Sequence, residues 1–309
     1  MRAATRATTL PLGVTRLDKR LRSVLKCSEP LWAHTSFRLG GEADYFVNPR
    51  SVEEVNQSVA FAEEEGLPWM VLGNGTNVLF PDEGYRGLII HLGRNWSSWH
   101  LSDDGRLNCR SGASLGGLTG WLRMQGMHDL DFLVGIPGSV GGAVAMNAGI
   151  PEACIGDVVE SVRALEPSGR LITLERADCR FEYRRSRFRE GRWIISEVTL
   201  RLGQSERRWD ANELLQQRRE HQPLQIPSAG CVFKNPPRPR PTAGLLIERT
   251  GLKGCRVGGA MVSPLHANFI LNEGQATSGD VRRLIDIVRD KVYKDFGVEL
   301  QLELAVVSN

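Results

Sequence analysis

The sequence predicts an α+β protein of two domains. Three observations predict it: a strand–helix–strand pattern followed by a strand-rich half, a shift to charged, helical composition near residues 203–206, and alternation of helix and strand from there to the end. With 309 residues the chain has enough length for a sizeable core.

Taken in order, "ADYFV" at 43–47 reads as a strand and "SVEEVNQSVAFAEEEG" as a helix. Ser51 is its N-cap with Glu54 three residues on, Val52, Val55 and Val59 share a face, and Gly66 stops it. "WMVLG" closes a β-α-β unit, followed by the strands "GLIIHLG" and "RLNCRSG", the helical "SLGGLTGWLRMQGM" and a glycine-dense stretch from Gly135 to Gly149. "VVESVRALEPSGRLITLE" reads as two strands joined at Pro167, Ser168 and Gly169, and "RWIISEVTLRL" as another. The second domain, 205–309, reads as helix, strand, helix, strand, helix, strand. In its last helix Val281, Leu284, Ile285, Val288 and Val292 form the apolar stripe, and in the terminal strand "VELQLELAVV" Glu299, Gln301 and Glu303 share the polar face.

A hydrophobic content of 41% with 24% charged residues fits a soluble globular protein, and a net charge of +3 gives no electrostatic footprint for nucleic acid. The longest apolar runs are broken by glycines and Pro137, so no membrane span is expected. Six scattered cysteines without a CxxC pair read as reduced thiols of a cytoplasmic protein, and the six histidines show no metal-ligand spacing, so no metal is expected. Residues 1–29, rich in Arg and Thr, read as a partly disordered lead with a faint transit-peptide character and no apolar core for secretion. The default assembly is a monomer.

The chain has 33 glycines among 309 residues, where usual composition of about 7% would give roughly 22. The excess gathers at Gly40 and Gly41, "LGNGTN" at 72–77, "SGASLGG" at 111–117 and "GIPGSVGGAVAMNAG" at 135–149. Glycines let backbone amides approach and face a phosphate, although each cluster alone could be a tight turn. Neither GxGxxG nor GxxxxGK[ST] is present, so a dinucleotide would be held by another fold.

"HTSFRLGGEADYFV", "VLGNGTNVLF", "GIPGSVGGAVAMNAG", "FEYRRSRF", "PSAGCVFKNP", "AGLLIERTGLKG", "VGGAMVSPLHANFILN" and "GVELQLEL" occur in that order. Together, from about residue 30 to residue 307, the chain resembles the UDP-N-acetylenolpyruvoylglucosamine reductase (MurB) family of bacterial peptidoglycan synthesis. The resemblance implies a two-subdomain FAD-binding module of the vanillyl-alcohol-oxidase (PCMH) type over 30–204 and a C-terminal substrate domain over 205–309. It also implies an oxidoreductase that uses NADPH and FAD to reduce UDP-N-acetylglucosamine enolpyruvate to UDP-N-acetylmuramate. By the same resemblance Gly73, Asn74, Gly75, Thr76, Asn77, Gly135, Pro137, Gly138, Ser139, Gly141, Gly142 and Ala148 cradle the flavin.

Three positions match the family's catalytic set. Arg184 would bind the substrate carboxylate, Cys231 would donate a proton, and Glu303 would act as an acid or orient the donor. The chemistry wants these types: hydride delivered to the enolpyruvyl methylene leaves an enolate, a guanidinium fork holds the charged carboxylate, and an acid protonates the carbon. Serine is commoner than cysteine at the donor position, but a thiol with pKa near 8.5 is protonated at neutral pH and can donate. Read without the resemblance, Arg184 is a solvated arginine among Arg185, Arg187 and Arg189, Glu303 part of a solvated strand face, and Cys231 a small buried hydrophobe. Arg218, His221, Asn235 and His266 are candidate substrate contacts. His221 stands where a lysine is usual, and Asn235 also reads as a turn residue before Pro236. The alternatives are an alcohol oxidase of the same fold and a non-catalytic nucleotide-sugar binding protein.

Overall fold

A computed structural model of the chain describes residues 19–203 and 209–309. The expected domain boundary at residues 204 and 205, and residues 1–18 of the expected lead, lie outside the described residues. The rest of that lead is structured: α1 (Lys19–Arg22) precedes β1 (Leu25–Pro30), which pairs antiparallel with β2 (Glu42–Val47). The first sheet therefore starts at Leu25, ahead of the expected residue 30, and Leu21, which is 1% exposed, joins the core beneath it.

Helix α2 (Val52–Glu64) starts where expected, with the Ser51 hydroxyl accepting from the Glu54 N–H. Glu54 itself reaches back to the Arg50 N–H at 2.7 Å. After β3 (Trp69–Leu72) and the short β4 (Val78–Leu79), β5 (Tyr85–His91) inserts between β2 and β3, giving the order β1-β2-β5-β3 with the last three parallel. The β-α-β unit thus spans a strand that arrives later in the chain, and Leu88, Ile89 and Ile90 at its centre are fully buried.

The second subdomain is an antiparallel sheet covered by helices. Its strands are β6 (Trp99–Leu101) and β7 (Arg106–Arg110), then, after α3 (Leu115–Met124), α4 (Val140–Met146) and the small hairpin β8 (Gly149–Ile150) and β9 (Ala153–Cys154), β10 (Val159–Leu165), β11 (Leu171–Glu175) and β12 (Ile194–Arg201). They order as β11-β10-β12-β7-β6. Leu115, Leu118 and Leu122 of α3 and Val140 and Val144 of α4 pack on Leu107, Cys109, Val162 and Val198 of the sheet.

The C-terminal part comprises α5 (Ala211–His221), α6 (Ala243–Arg249), the antiparallel sheet β13 (Arg256–Val257), β14 (Ala260–Val262) and β15 (Ile270–Asn272), helix α7 (Ser278–Phe296) and β16 (Ala305–Val306). Val281, Leu284, Ile285, Val288 and Val292 form the buried stripe of α7, and Gly297 ends it at φ +63°. The expected ten-residue terminal strand pairs only in part. Leu302 bridges Phe233, and β16 runs parallel to β4 in the first subdomain. The apolar alternation still governs burial, with Val298, Leu300 and Leu304 inside and Glu299 and Gln301 exposed. This segment ties the C-terminal part to the strand that follows the "GNGTN" loop. Asp82 adds a second tie by accepting from the Ser278 N–H at 2.7 Å and the Gly279 N–H at 3.0 Å at the start of α7.

Candidate active site

Two glycine loops from different subdomains face each other. Residues 73–77 leave the carboxyl end of β3, where ligands of parallel sheets collect, and residues 135–142 lead into α4. A Cβ on Gly73 would stand 2.5 Å from the Ser139 Oγ, and one on Gly138 3.2 Å from the Thr76 Oγ1. Thr76 Oγ1 donates to the Pro137 carbonyl at 3.4 Å. Gly75 sits at φ +60° with the His34 carbonyl where its Cβ would be, so no other residue fits there.

The backbone N–H groups of residues 73–77 make no hydrogen bond to other described residues. Five adjacent unpaired amides on a loop that lacks side-chain bulk form an anion-binding concavity. The Ser111 hydroxyl, buried and without a partner, lies beside Gly141, whose Cβ would stand 2.7 Å from the Ser111 Cβ. The arrangement fits the diphosphate of FAD. Not every expected flavin residue points there. The Ala148 N–H bonds the Ala143 carbonyl, and its own carbonyl accepts from Ile155, both at 2.8 Å. The Gly141 N–H is taken by the Ser111 carbonyl at 2.7 Å, and the Gly142 N–H by the Ser139 hydroxyl at 3.3 Å. Asn77 turns its amide away to hold the Glu303 carbonyl at 3.0 Å.

Beyond this cradle, residues far apart in the sequence converge. Arg184 lies in a tight turn, bridged from Glu182 to Arg185, in left-handed conformation at φ +53°. That conformation costs a non-glycine residue about 1–3 kcal/mol, which the turn sustains at the point where the side chain is aimed. Its Nη2 donates to the Gly149 carbonyl at 3.1 Å, and its guanidinium carbon is 5.4 Å from the Tyr183 ring centroid. Its Nε lies 3.0 Å from Glu303 Oε1. The Nε–H is not directed at that oxygen and bonds no other described residue.

Glu303 is thus no solvated strand residue. Its side chain is 17% exposed, against Arg184 at 22%. Burial pushes its carboxyl above the usual range, with Arg184 and then Lys234 pulling the other way. Its N–H bonds the Val232 carbonyl at 2.9 Å, which fixes it one strand away from Cys231.

Cys231 bridges Phe269 across the short strand pairing. Burial pushes its thiol up to about 12, Glu303 adds to that, and Arg184, Arg218 and a hydrogen bond from Asn268 oppose it. The ordinary thiol value expected from sequence is therefore corrected: this group is a weaker acid, and it is protonated throughout the neutral range. Asn268, which the sequence reading did not single out, holds the strand in place. Its side chain accepts from the Phe233 N–H at 3.0 Å and donates to the Phe233 carbonyl at 2.8 Å, while it is 3% exposed. A buried asparagine in "HANF" carries no marker in sequence that sets it apart from a loop polar residue.

Of the candidate substrate contacts, Arg218 joins this cluster: it packs across Gly135, its charge is felt by Cys231, and burial lowers its pKa. His221 is exposed, with Nδ1 2.9 Å from the Gln217 carbonyl of its own helix. Asn235 works as a turn residue, accepting from the Ala243 N–H at 3.0 Å at the start of α6 while its own N–H donates to the Tyr183 hydroxyl at 3.4 Å. His266 packs against Phe269 with ring centroids 4.9 Å apart and accepts from the Asn268 N–H at 3.2 Å; burial pushes its pKa down. Among the described residues no cluster of ligating side chains could hold a metal ion, and no helix is long and apolar enough to cross a membrane.

Residues 222–307 match the family described as UDP-N-acetylenolpyruvoylglucosamine reductase, C-terminal domain, and residues 43–175 match an FAD binding domain family. The chain is 44% identical over 304 residues to the UDP-N-acetylenolpyruvoylglucosamine reductase of Moorella thermoacetica, covering 96% of this chain and 98% of that one. It is 41% identical over 300 residues to the enzyme of the same name from Heliobacterium modesticaldum, at 96% and 95% coverage. The crystal structure of UDP-N-acetylenolpyruvylglucosamine reductase (MurB) from Thermus caldophilus superimposes with a TM-score of 0.75 at 33% identity, covering 92% of this chain and 98% of that one.

Proposed function

The chain belongs to the UDP-N-acetylenolpyruvoylglucosamine reductase (MurB) family, and on that premise we propose that Arg184, Cys231 and Glu303 carry out the reduction of UDP-N-acetylglucosamine enolpyruvate to UDP-N-acetylmuramate. The observation that carries the assignment is the meeting of three distant segments: the Arg184–Glu303 contact at 3.0 Å, and a Cys231 thiol that feels both their charges. When bound, FAD supplies the hydride for the enolpyruvyl methylene, with NADPH as its source. The residues of this chain handle the charge and the proton. Negative charge that builds on the α-carbon spreads into the substrate carboxylate, where the guanidinium of Arg184 holds it through N–H groups that include the unspent Nε–H. The Cys231 S–H donates its proton to the α-carbon, the new C–H bond completes the lactyl ether, and the thiolate left behind takes a proton from solvent.

Glu303 keeps Arg184 and the thiol in register through its 3.0 Å contact with the guanidinium, and burial raises its carboxyl toward the role of an acid beside the enolate. Arg218, half-buried and paired among the described residues only with the Gln222 side chain at 3.5 Å, lies against Gly135 and suits an anionic part of the substrate. An anaerobic titration tests the proposal. NADPH bleaches the flavin spectrum and the enolpyruvyl nucleotide restores it. Recovery that requires oxygen would identify an oxidase, and absence of bleaching a binding protein.

A further inference from the structure

Strand β16 runs parallel to β4, and its hydrogen bonds advance two residues at a time. The Val307 N–H donates to the Leu79 carbonyl at 2.9 Å, and the Ala305 N–H to the Asn77 carbonyl at 3.2 Å. A parallel ladder continued one step further would join the Asn77 N–H to the Glu303 carbonyl. That bond is not made, and the Asn77 N–H stays among the unpaired amides of residues 73–77. The Glu303 carbonyl accepts instead from the Asn77 side-chain amide at 3.0 Å.

The same amide nitrogen lies 3.7 Å from Met146 Sδ, so both neighbours call for the donor end of the side chain. Among the described residues it is the one donor to the Glu303 carbonyl. On its other side Glu303 is held by its own N–H, which donates to the Val232 carbonyl at 2.9 Å. The residue is therefore pinned from two directions, with its carboxyl 3.0 Å from Arg184 Nε. Without the amide of Asn77 it would be fixed on the Val232 side alone.

We propose that Asn77 is a positioning residue for Glu303: its side chain takes over the ladder bond of its own backbone, so that the N–H is left to the cofactor loop while the Glu303 carboxyl stays seated against Arg184. The inference rests on the proposed roles of that loop and of Glu303.

The test compares three quantities in the full-length protein: FAD affinity of the apoprotein by quenching of flavin fluorescence, the rate of bleaching by NADPH, and the rate of recovery with the enolpyruvyl nucleotide. Asn77→Leu keeps the backbone N–H and loses the amide. It is expected to bind FAD and to bleach within about threefold of the unchanged protein, and to recover about tenfold more slowly. Asn77→Gln returns a donor and should recover within about threefold. Action through Glu303 shows in a double-mutant cycle: in a Glu303→Gln background, Asn77→Leu should slow recovery by less than about threefold further. Equal slowing in both backgrounds, an FAD dissociation constant raised as much as recovery is slowed, or a Gln variant as slow as Leu overturns the role of Asn77. If Glu303→Gln alone recovers at the original rate, the assignment of Glu303 fails and this inference with it. A slow Glu303→Gln beside an unimpaired Asn77→Leu overturns the inference alone. Should Asn77→Leu not fold, Asn77→Ala enters the same cycle, with the same expected and overturning results.

Discussion

At the scale of single residues, the pH behaviour of Cys231 is the sharpest expectation. As the proposed donor the thiol would act in its protonated form, and burial has moved its pKa upward to about 12, so acidity lost to burial widens the range in which it can donate. The rate of flavin reoxidation by substrate in a single turnover is expected to stay level from about pH 7 to 9; a fall centred near 8.5, the value of an open thiol, would contradict that environment. Cys231→Ala should keep NADPH-driven bleaching and lose rapid recovery, and Cys231→Ser should retain part of it; an alanine variant with the original rate ends the donor assignment. Arg184→Lys keeps the charge and loses the planar fork, so turnover should fall by about 10²-fold, measured as kcat on the enolpyruvyl nucleotide. These residue types were legible in the sequence through the motifs around them. Their environment was not: alternation alone put Glu303 on a polar face, and only the crossing of the terminal segment onto β4 shows that this face looks into the site. Arg184, which only the resemblance separated from three nearby arginines, is set apart in the structure by its contact with Glu303.

At the scale of elements, local rules placed the helices well and the short strands poorly. Ser51 and Thr277 both act as side-chain caps, the latter in a reciprocal box with Asp280. Thr277→Ala should cost about 1 kcal/mol, read as a lower urea midpoint, with flavin bleaching unchanged. The segment from 227 to 236 forms only isolated bridges at Cys231 and Phe233, because prolines flank it and its partners, Phe269 and Leu302, come from two different elements. Period-2 burial survives where pairing does not. Leu304 is 3% exposed beside Glu303, so Leu304→Ala should cost about 2–5 kcal/mol and slow turnover as well, seen by pairing denaturation with steady-state rates.

At the scale of the whole molecule, buried titratable groups bound the pH range of stability on both sides. His91 is depressed from 6.5 to about 4 by burial, so its share of stability is present above 6.5 and is lost as pH falls through 4. A shift of that size corresponds to about 3 kcal/mol. Burial raises the thiols of Cys109 to about 12 and Cys179 to about 11 from 9.0, so stability is full below 9.0 and drains as pH rises toward those values. Urea midpoints measured across pH should form a plateau between these limits; a midpoint that keeps rising below pH 6 would contradict the His91 environment. One further consequence belongs to the order in which the chain is made. Asn77 and Glu303, joined through the Asn77 amide, are 226 residues apart, and closing so long a loop is among the slow steps of folding. On the proposed assignments, the amide cradle is therefore synthesised well before Glu303, and the contact that joins it to the acid–base group waits for the end of the chain.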